Sequence, residues 1–275
     1  MIPPVKFIRP LSFGFGVESW LALLGGQKVV LRRFFGPALD PGYRLLPDEF
    51  TLFRISHPGI QRLLLSGNDD DGAIVYIYEF IEGRSLYDIM RDDARTAIDG
   101  SLLATMLRDG LEALSCLHEE SPVAPVLHGD VSPGNMVWGS ATPGGPSRLT
   151  LIDVRGIDAP GNRDQADDAP DDIIVGTLPY IADEVLGGKM LTPAAETWSL
   201  AASLLSAALG GSPWRKAASP AEMLRMRSDV RPEVLLNDAA GIAGLDDATL
   251  RTLAAMLSTD PSDRPSASEA IRMLS

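Results

Sequence analysis

The chain has 275 residues, 45% hydrophobic and 22% charged, with a formal net charge of −13. That length carries one large domain or two small lobes with buried cores, and the composition is that of a soluble globular protein. The charge disfavours nucleic acid and anionic membrane surfaces, which need a basic face, and it also serves plain solubility. The single cysteine, Cys116, excludes an internal disulfide framework. It sits in the apolar helical pattern LEALSCLHEE, a core position, which points to a reducing compartment such as the cytoplasm. The first residues, MIPPVKFIRP, lack the apolar run of a secretory leader. LAASLLSAALGG, the longest apolar stretch, is too short to span a bilayer, so no membrane insertion is expected.

Residues up to about 80 read as strand-rich. SWLALL and QKVVLRRFF are β-like runs separated by GGQ, a hairpin signal. LLPDEFTLFRIS has helical spacing, with apolar residues at 46, 50, 53 and 55. GIQRLLLSG and GAIVYIYEF read as two further strands joined by the acidic turn NDDDG. After IEGRS the pattern becomes helical: SLYDIMRDD, SLLATMLRDGLEALSCLHEE, AAETWSLAASLLSAALGG, PAEMLRMR, DDATLRTLAAMLS and SASEAIRMLS. Residues 156–172, GIDAPGNRDQADDAPDD, have no period and read as an exposed acidic loop.

Two motifs carry chemistry: HGDVSPGNM at 128–136 and LTLIDVRG at 149–156. Around them, in order, stand SHPGI (56–60), YEFIEGRSL (78–86), GTLPYIADE (176–184), AETWSLAASLL (195–205) and DRPSASEAIRML (263–274). Taken together, this series resembles the eukaryotic-like Ser/Thr protein kinase family over nearly the whole chain. The resemblance implies an α+β bilobal fold in one domain, 1–275. A small β-rich N-lobe with one main helix would end near 79, a hinge would span about 79–84, and a larger helical C-lobe about 85–275. The last helix falls where such a domain ends, so the chain can be one piece of a longer protein.

The family's chemistry then falls on particular residues. Asp130 matches the carboxylate that accepts the hydroxyl proton; Asn135 and Asp153 match the ligands of Mg2+, a hard cation that prefers oxygen. Gly14 and Gly16 match the loop that covers the ATP phosphates. Glu79, Phe80 and Ile81 match the hinge, where adenine meets backbone groups. Arg264 would pair with Glu184. His57, His118 and His128 read as structural.

Several positions depart from the pattern. VVLRR (29–33) puts Arg32 where the phosphate-gripping lysine belongs. Arginine keeps the charge but reaches differently. Its expected partner is Glu49, with Asp48 adjacent. Val17–Ser19 stand where a third loop glycine belongs. Gly129 replaces the arginine before Asp130, Ser132 the lysine after it, and Asp153-Val154-Arg155 an Asp-Phe-Gly. Between Asp153 and Gly176 there is no Ser, Thr or Tyr, so no phosphorylation switch is expected in that segment. Asp183 replaces a proline and Glu196 an aspartate at scaffold positions, which is expected to loosen helix anchoring.

Three readings follow. One is a divergent Ser/Thr kinase using ATP and Mg2+ on a protein substrate. Another is a pseudokinase, a nucleotide-binding or scaffolding module with a regulatory protein partner. The third is a small-molecule kinase, supported by HGD and the missing loop lysine. Nothing in the sequence speaks to oligomeric state.

Overall fold

A computed structural model describes residues 2–14, 16–39, 49–92, 98–119, 125–158 and 176–275. Leu46, Asp48 and most of the acidic stretch 156–172 lie outside these residues.

The N-terminal part is a five-stranded antiparallel sheet: β1 (Lys6–Gly14), β2 (Val17–Leu24), β3 (Gln27–Phe34), β4 (Leu63–Asn68) and β5 (Ile74–Glu79), in the order β1-β2-β3-β5-β4. The GGQ signal becomes the β2–β3 hairpin. Gly25 and Gly26 both have positive φ, 57° and 88°, as a type I′ turn requires. NDDDG becomes the β4–β5 turn, where Asp69 accepts from the N–H groups of Asp71 and Ala73. β1 has no counterpart among the sequence-predicted strands. It carries Pro10 and two register shifts, both tolerated because it is an edge strand.

Alternation along β3 sorts its side chains between two faces. Val29 and Leu31 join Ala22, Val75 and Ile77 in a small outer core. Phe34 joins Tyr76 and Tyr78 in the main core, which continues into the helical lobe. Arg32 shares this inner face with Val30 and Phe34. The β3 register is therefore what aims a cation at the cleft.

α1 (Glu49–Arg54) is the described part of the expected N-lobe helix. Below it, β6 (Glu82–Ser85), β8 (Met136–Ser140) and β9 (Arg148–Leu151) form a three-stranded sheet. β7 (Val126–Leu127) pairs with β10 (Ile157–Asp158). The helical lobe holds α2 (Leu86–Met90), α3 (Gly100–His118), α4 (Asp183–Leu186) and α5 (Pro193–Ala208). It continues through α6 (Pro220–Asp229), α7 (Pro232–Ala243), α8 (Asp247–Met256) and α9 (Ala267–Met273).

Side-chain caps fix the helix starts: Asp99 accepts from Leu102 N–H, Thr192 from Ala195 N–H, and Ser266 with Glu269 forms a capping box. α5 is buried from Ala195 to Ala208, the expected state of a helix apolar all round. Cys116 is half-buried and packs against the main core. No helix among the described residues is long and apolar enough to cross a membrane. The bilobal α+β architecture expected from the sequence is the one observed.

Candidate active site

The loop after β7 is fixed from below by α5. The Glu196 carboxylate accepts from His128 N–H at 3.0 Å and Gly129 N–H at 2.7 Å, and contacts His118 Nε2 at 2.9 Å. Burial pushes the Glu196 carboxyl up. The His118 hydrogen bond, the nearby histidines and the Gly129 N–H outweigh this and hold it below the ordinary carboxylate range. The replacement of aspartate by glutamate therefore does not loosen the anchor, because the longer side chain reaches the same loop and gains a histidine. Gly129 has φ 93°, a conformation that favours glycine. His128 is fully buried and accepts from Asp130 N–H through Nδ1; burial pushes its imidazole down, keeping it neutral. His57 Nδ1 accepts from Gly59 N–H. All three histidines do structural work.

Asp130 is oriented by the segment after the acidic loop. Thr177 donates to Asp130 Oδ1 from its N–H at 3.0 Å and its hydroxyl at 2.9 Å, and Thr177 Oγ1 lies 3.3 Å from Ser132 Oγ. Asn135 closes a 3-10 turn (Pro133–Asn135) and donates through Nδ2 to the Asp130 carbonyl at 3.0 Å. Its N end is thereby used, and its amide oxygen is the end left for a cation. Asn135 O accepts from Ile152 N–H, joining this loop to the strand that delivers Asp153.

Asp153 is the only non-glycine with positive φ among the described residues, at 64°. Holding a non-glycine there costs about 1–2 kcal/mol. Backbone bonds on either side maintain it: Ile152 N–H to Asn135 O and Arg155 N–H to His128 O. Arg32 Nη1 forms a close ion pair with Asp153 Oδ1. This corrects the expected pairing of Arg32 with Glu49. Glu49 stands in the first turn of the short α1, where its charge suits the helix N-terminus. The long guanidinium stem reaches the opposite lobe.

Burial pushes the Arg32 guanidinium pKa down, and Arg155 adds to this. Arg155 Nη2 stands 3.9 Å from Asp130 Oδ2, too far for a hydrogen bond but close enough for charge. Two carboxylates thus face two guanidiniums. Arg32 Nε and the Tyr78 hydroxyl are buried without a partner, and burial pushes the Tyr78 phenol up.

Asn135 and Asp153 have the oxygen donors that Mg2+ prefers, yet a divalent cation and a guanidinium cannot share Asp153 Oδ1 without repulsion. With Arg32 on Asp153, the pair does not fit a metal. Arg155 and Tyr78 were not singled out for this role by the sequence. Arg155 read only as a departure, and Tyr78 only as the start of the hinge.

The remaining expected residues sit around this centre. Gly14 and Gly16 flank the β1–β2 turn. Gly14 is open, whereas Gly16 (φ 80°) presses on the next segment: a Cβ there would meet Phe35 O at 2.3 Å. Gly16 therefore serves close packing. At the hinge, the Glu79 carbonyl accepts from Gln61 Nε2 at 2.9 Å and its carboxylate accepts from Arg62 N–H at 2.8 Å. Phe80 lies under Lys28 Nζ, 5.4 Å from the ring centre, and Ile81 is buried.

On the far side of Thr177, Arg264 forms a two-pronged bond to Glu184 at 2.6 and 2.9 Å, as expected. Asp183 has a partner that the sequence did not announce. Arg227 on α6 binds Asp183 Oδ1 together with the carbonyls of Ile181 (2.7 Å) and Pro179 (2.9 Å). Its guanidinium lies 4.2 Å from the Trp198 ring centre and 5.0 Å from that of Trp214.

A β-rich lobe over a helical lobe, with this loop at their junction, defines the bilobal kinase-like class of fold. The Protein kinase domain family model matches residues 45–274, and the chain belongs to the protein kinase family. It is 27% identical over 194 residues to Serine/threonine-protein kinase PknF of Mycobacterium tuberculosis, covering 70% of this chain and 38% of that protein. It is 26% identical over 269 residues to Serine/threonine-protein kinase PkaA of Streptomyces coelicolor, covering 94% and 45%. It is 23% identical over 215 residues to Serine/threonine-protein kinase max-2 of Caenorhabditis elegans, covering 78% and 31%. The chain spans less than half the length of these curated relatives. Members of the family in general use ATP and a divalent metal to phosphorylate proteins.

Proposed function

We propose that this domain binds ATP between its lobes and transfers the γ-phosphoryl group to a Ser or Thr hydroxyl of a protein. The observation that carries this reading is the seating of Asp130. The Thr177 hydroxyl reaches both of its oxygens, Asn135 ties its carbonyl, and Arg155 stands beside Oδ2. In the transfer, the hydroxyl oxygen forms a bond to the γ-phosphorus as the bond from that phosphorus to the β,γ-bridging oxygen breaks. ADP leaves, and the hydroxyl proton passes to Asp130. Arg32 and Arg155 are the cations that face the phosphates, and Ser132 contributes no charge. The expected docking segment 176–184 is anchored by Arg264 and Arg227, which favours a protein over a small alcohol as acceptor.

A second reading rests on the Arg32–Asp153 pair. If that pair persists with nucleotide bound, the domain is a kinase-shaped binding module and its partner is a regulatory protein. Radiolabelled transfer from ATP to the protein itself and to a generic basic protein separates the two. The enzymatic reading expects label on Ser or Thr, lost in Asp130→Ala while ATP binding remains. ATP binding with no transfer in the unmodified protein supports the second reading and overturns the first.

A further inference from the structure

From the two arginine–carboxylate pairs at the cleft floor, we infer that this cleft takes a nucleotide polyphosphate without a divalent cation. Arg32 supplies the charge at Asp153, and a metal enters only by displacing it. The inference deepens the second reading above, the nucleotide-binding module in which the Arg32–Asp153 pair persists, and rests on it.

The first ground is charge balance. Asp130 and Asp153 bring two negative charges, and Arg32 and Arg155 bring two positive ones, before anything enters. A site that depends on a metal needs an excess of carboxylate charge to draw it in, and here that excess is cancelled. The second ground is shielding. The Arg32 and Asp153 side chains are only 17% and 27% exposed, so bulk salt screens the pair weakly. Mg2+ gives up its water reluctantly, and an already neutralised carboxylate offers it little in return.

The third ground is the unmet donor. Arg32 Nε and the Tyr78 hydroxyl are both buried, neither with a hydrogen-bond partner among the described residues. A guanidinium has five N–H donors in a planar fork. With Nη1 on Asp153, the rest of that fork can take phosphate oxygens, and a small shift toward them would satisfy Nε. Arg155 repels the Arg32 charge, and an anion close to both guanidiniums relieves that repulsion. Arg32 is thus a charge that grips the ligand and, in the same place, keeps a metal out.

The test is calorimetric titration of ATP into the protein in EDTA and, separately, in excess MgCl2. The expected result is binding in EDTA at least as tight as in Mg2+, weakened about tenfold or more by Arg32→Gln and largely restored by Arg32→Lys. Binding in Mg2+ alone overturns the inference and leaves the nucleotide reading standing. Binding in neither condition removes both. Binding in EDTA that Arg32→Gln leaves untouched overturns the role given to Arg32. A spin-resonance titration of Mn2+ without nucleotide serves as the second readout. Arg32→Gln is expected to take up Mn2+ more tightly than the unmodified protein, and equal uptake contradicts the displacement.

Discussion

The two sides of the cleft have met substitution differently. On the catalytic-loop side, each departure is absorbed in place. Glu196 reaches the same backbone N–H groups that a shorter acid would and adds His118. Asp183 is met by Arg227, which also holds two carbonyls of the preceding turn. On the nucleotide side, one departure changes the wiring. Arg32 does not pair within its own lobe but crosses to Asp153. A packed scaffold tolerates exchange when the exchanged carboxylate keeps its donors, as Glu196 and Asp183 do here. At the junction of the lobes a long side chain can instead reach a carboxylate of the other lobe, as Arg32 does.

Perturbing the absorbed side has the largest expected effects. Glu196→Ala leaves two buried N–H groups and His118 without their acceptor, and is expected to lower unfolding free energy by about 3–5 kcal/mol in denaturant titrations. Glu196→Asp should cost less than half of that, since the backbone bonds can re-form while the His118 contact is lost. The same cluster sets the acid behaviour. The Glu196 carboxyl is held below its unfolded value, so its stabilisation is full above the ordinary carboxylate range and is lost as pH falls toward the folded value. His128 is held neutral, so proton uptake by the unfolded chain erodes stability as pH falls through its ordinary value of about 6.5. Both signs agree. Stability should fall from neutral pH downward, and Glu196→Gln should flatten the lower part of that fall.

Arg227→Ala should cost about 2–4 kcal/mol by removing three hydrogen bonds and the contact with two tryptophans, measured by the same titration. If its loss also abolishes protein phosphorylation while ATP binding is unchanged, the comparison sharpens, because the substrate side then depends on this anchor. Gly16→Ala should cost about 1–3 kcal/mol, since its Cβ would clash with the backbone of Phe35. Arg32→Gln should have the smallest effect on folding, about 1 kcal/mol, because glutamine removes the desolvation cost of the buried guanidinium together with the pair. A loss as large as that of Glu196→Ala would erase the distinction between the two sides.

The sequence disclosed the parts that local chemistry specifies. GGQ between two apolar β-like runs signalled a tight turn, and α3, α5 and α9 announced themselves as helical patterns, while the caps Asp99, Thr192 and Ser266 emerged from the structure. β1 was hidden by Pro10, and α7 by the polar and glycine residues inside PEVLLNDAAGIA. In the site, Asp130, Asn135 and Asp153 were named through the resemblance of HGDVSPGNM and LTLIDVRG to the kinase family. The partner of Arg32 was not, because reach across a cleft depends on the relative setting of two lobes. Arg227 was equally silent. Its only signal was an unexplained charge at Asp183, which is 44 residues away in the chain.

The account turns on which group occupies the Asp153 carboxylate. A crystal structure of the nucleotide-free protein grown in millimolar MnCl2, with anomalous data at the manganese edge, reads this directly. The expected map has the Arg32 guanidinium on Asp153 and no anomalous peak between Asn135 and Asp153. A manganese ion bridging those two residues, with Arg32 withdrawn to Glu49, would contradict it.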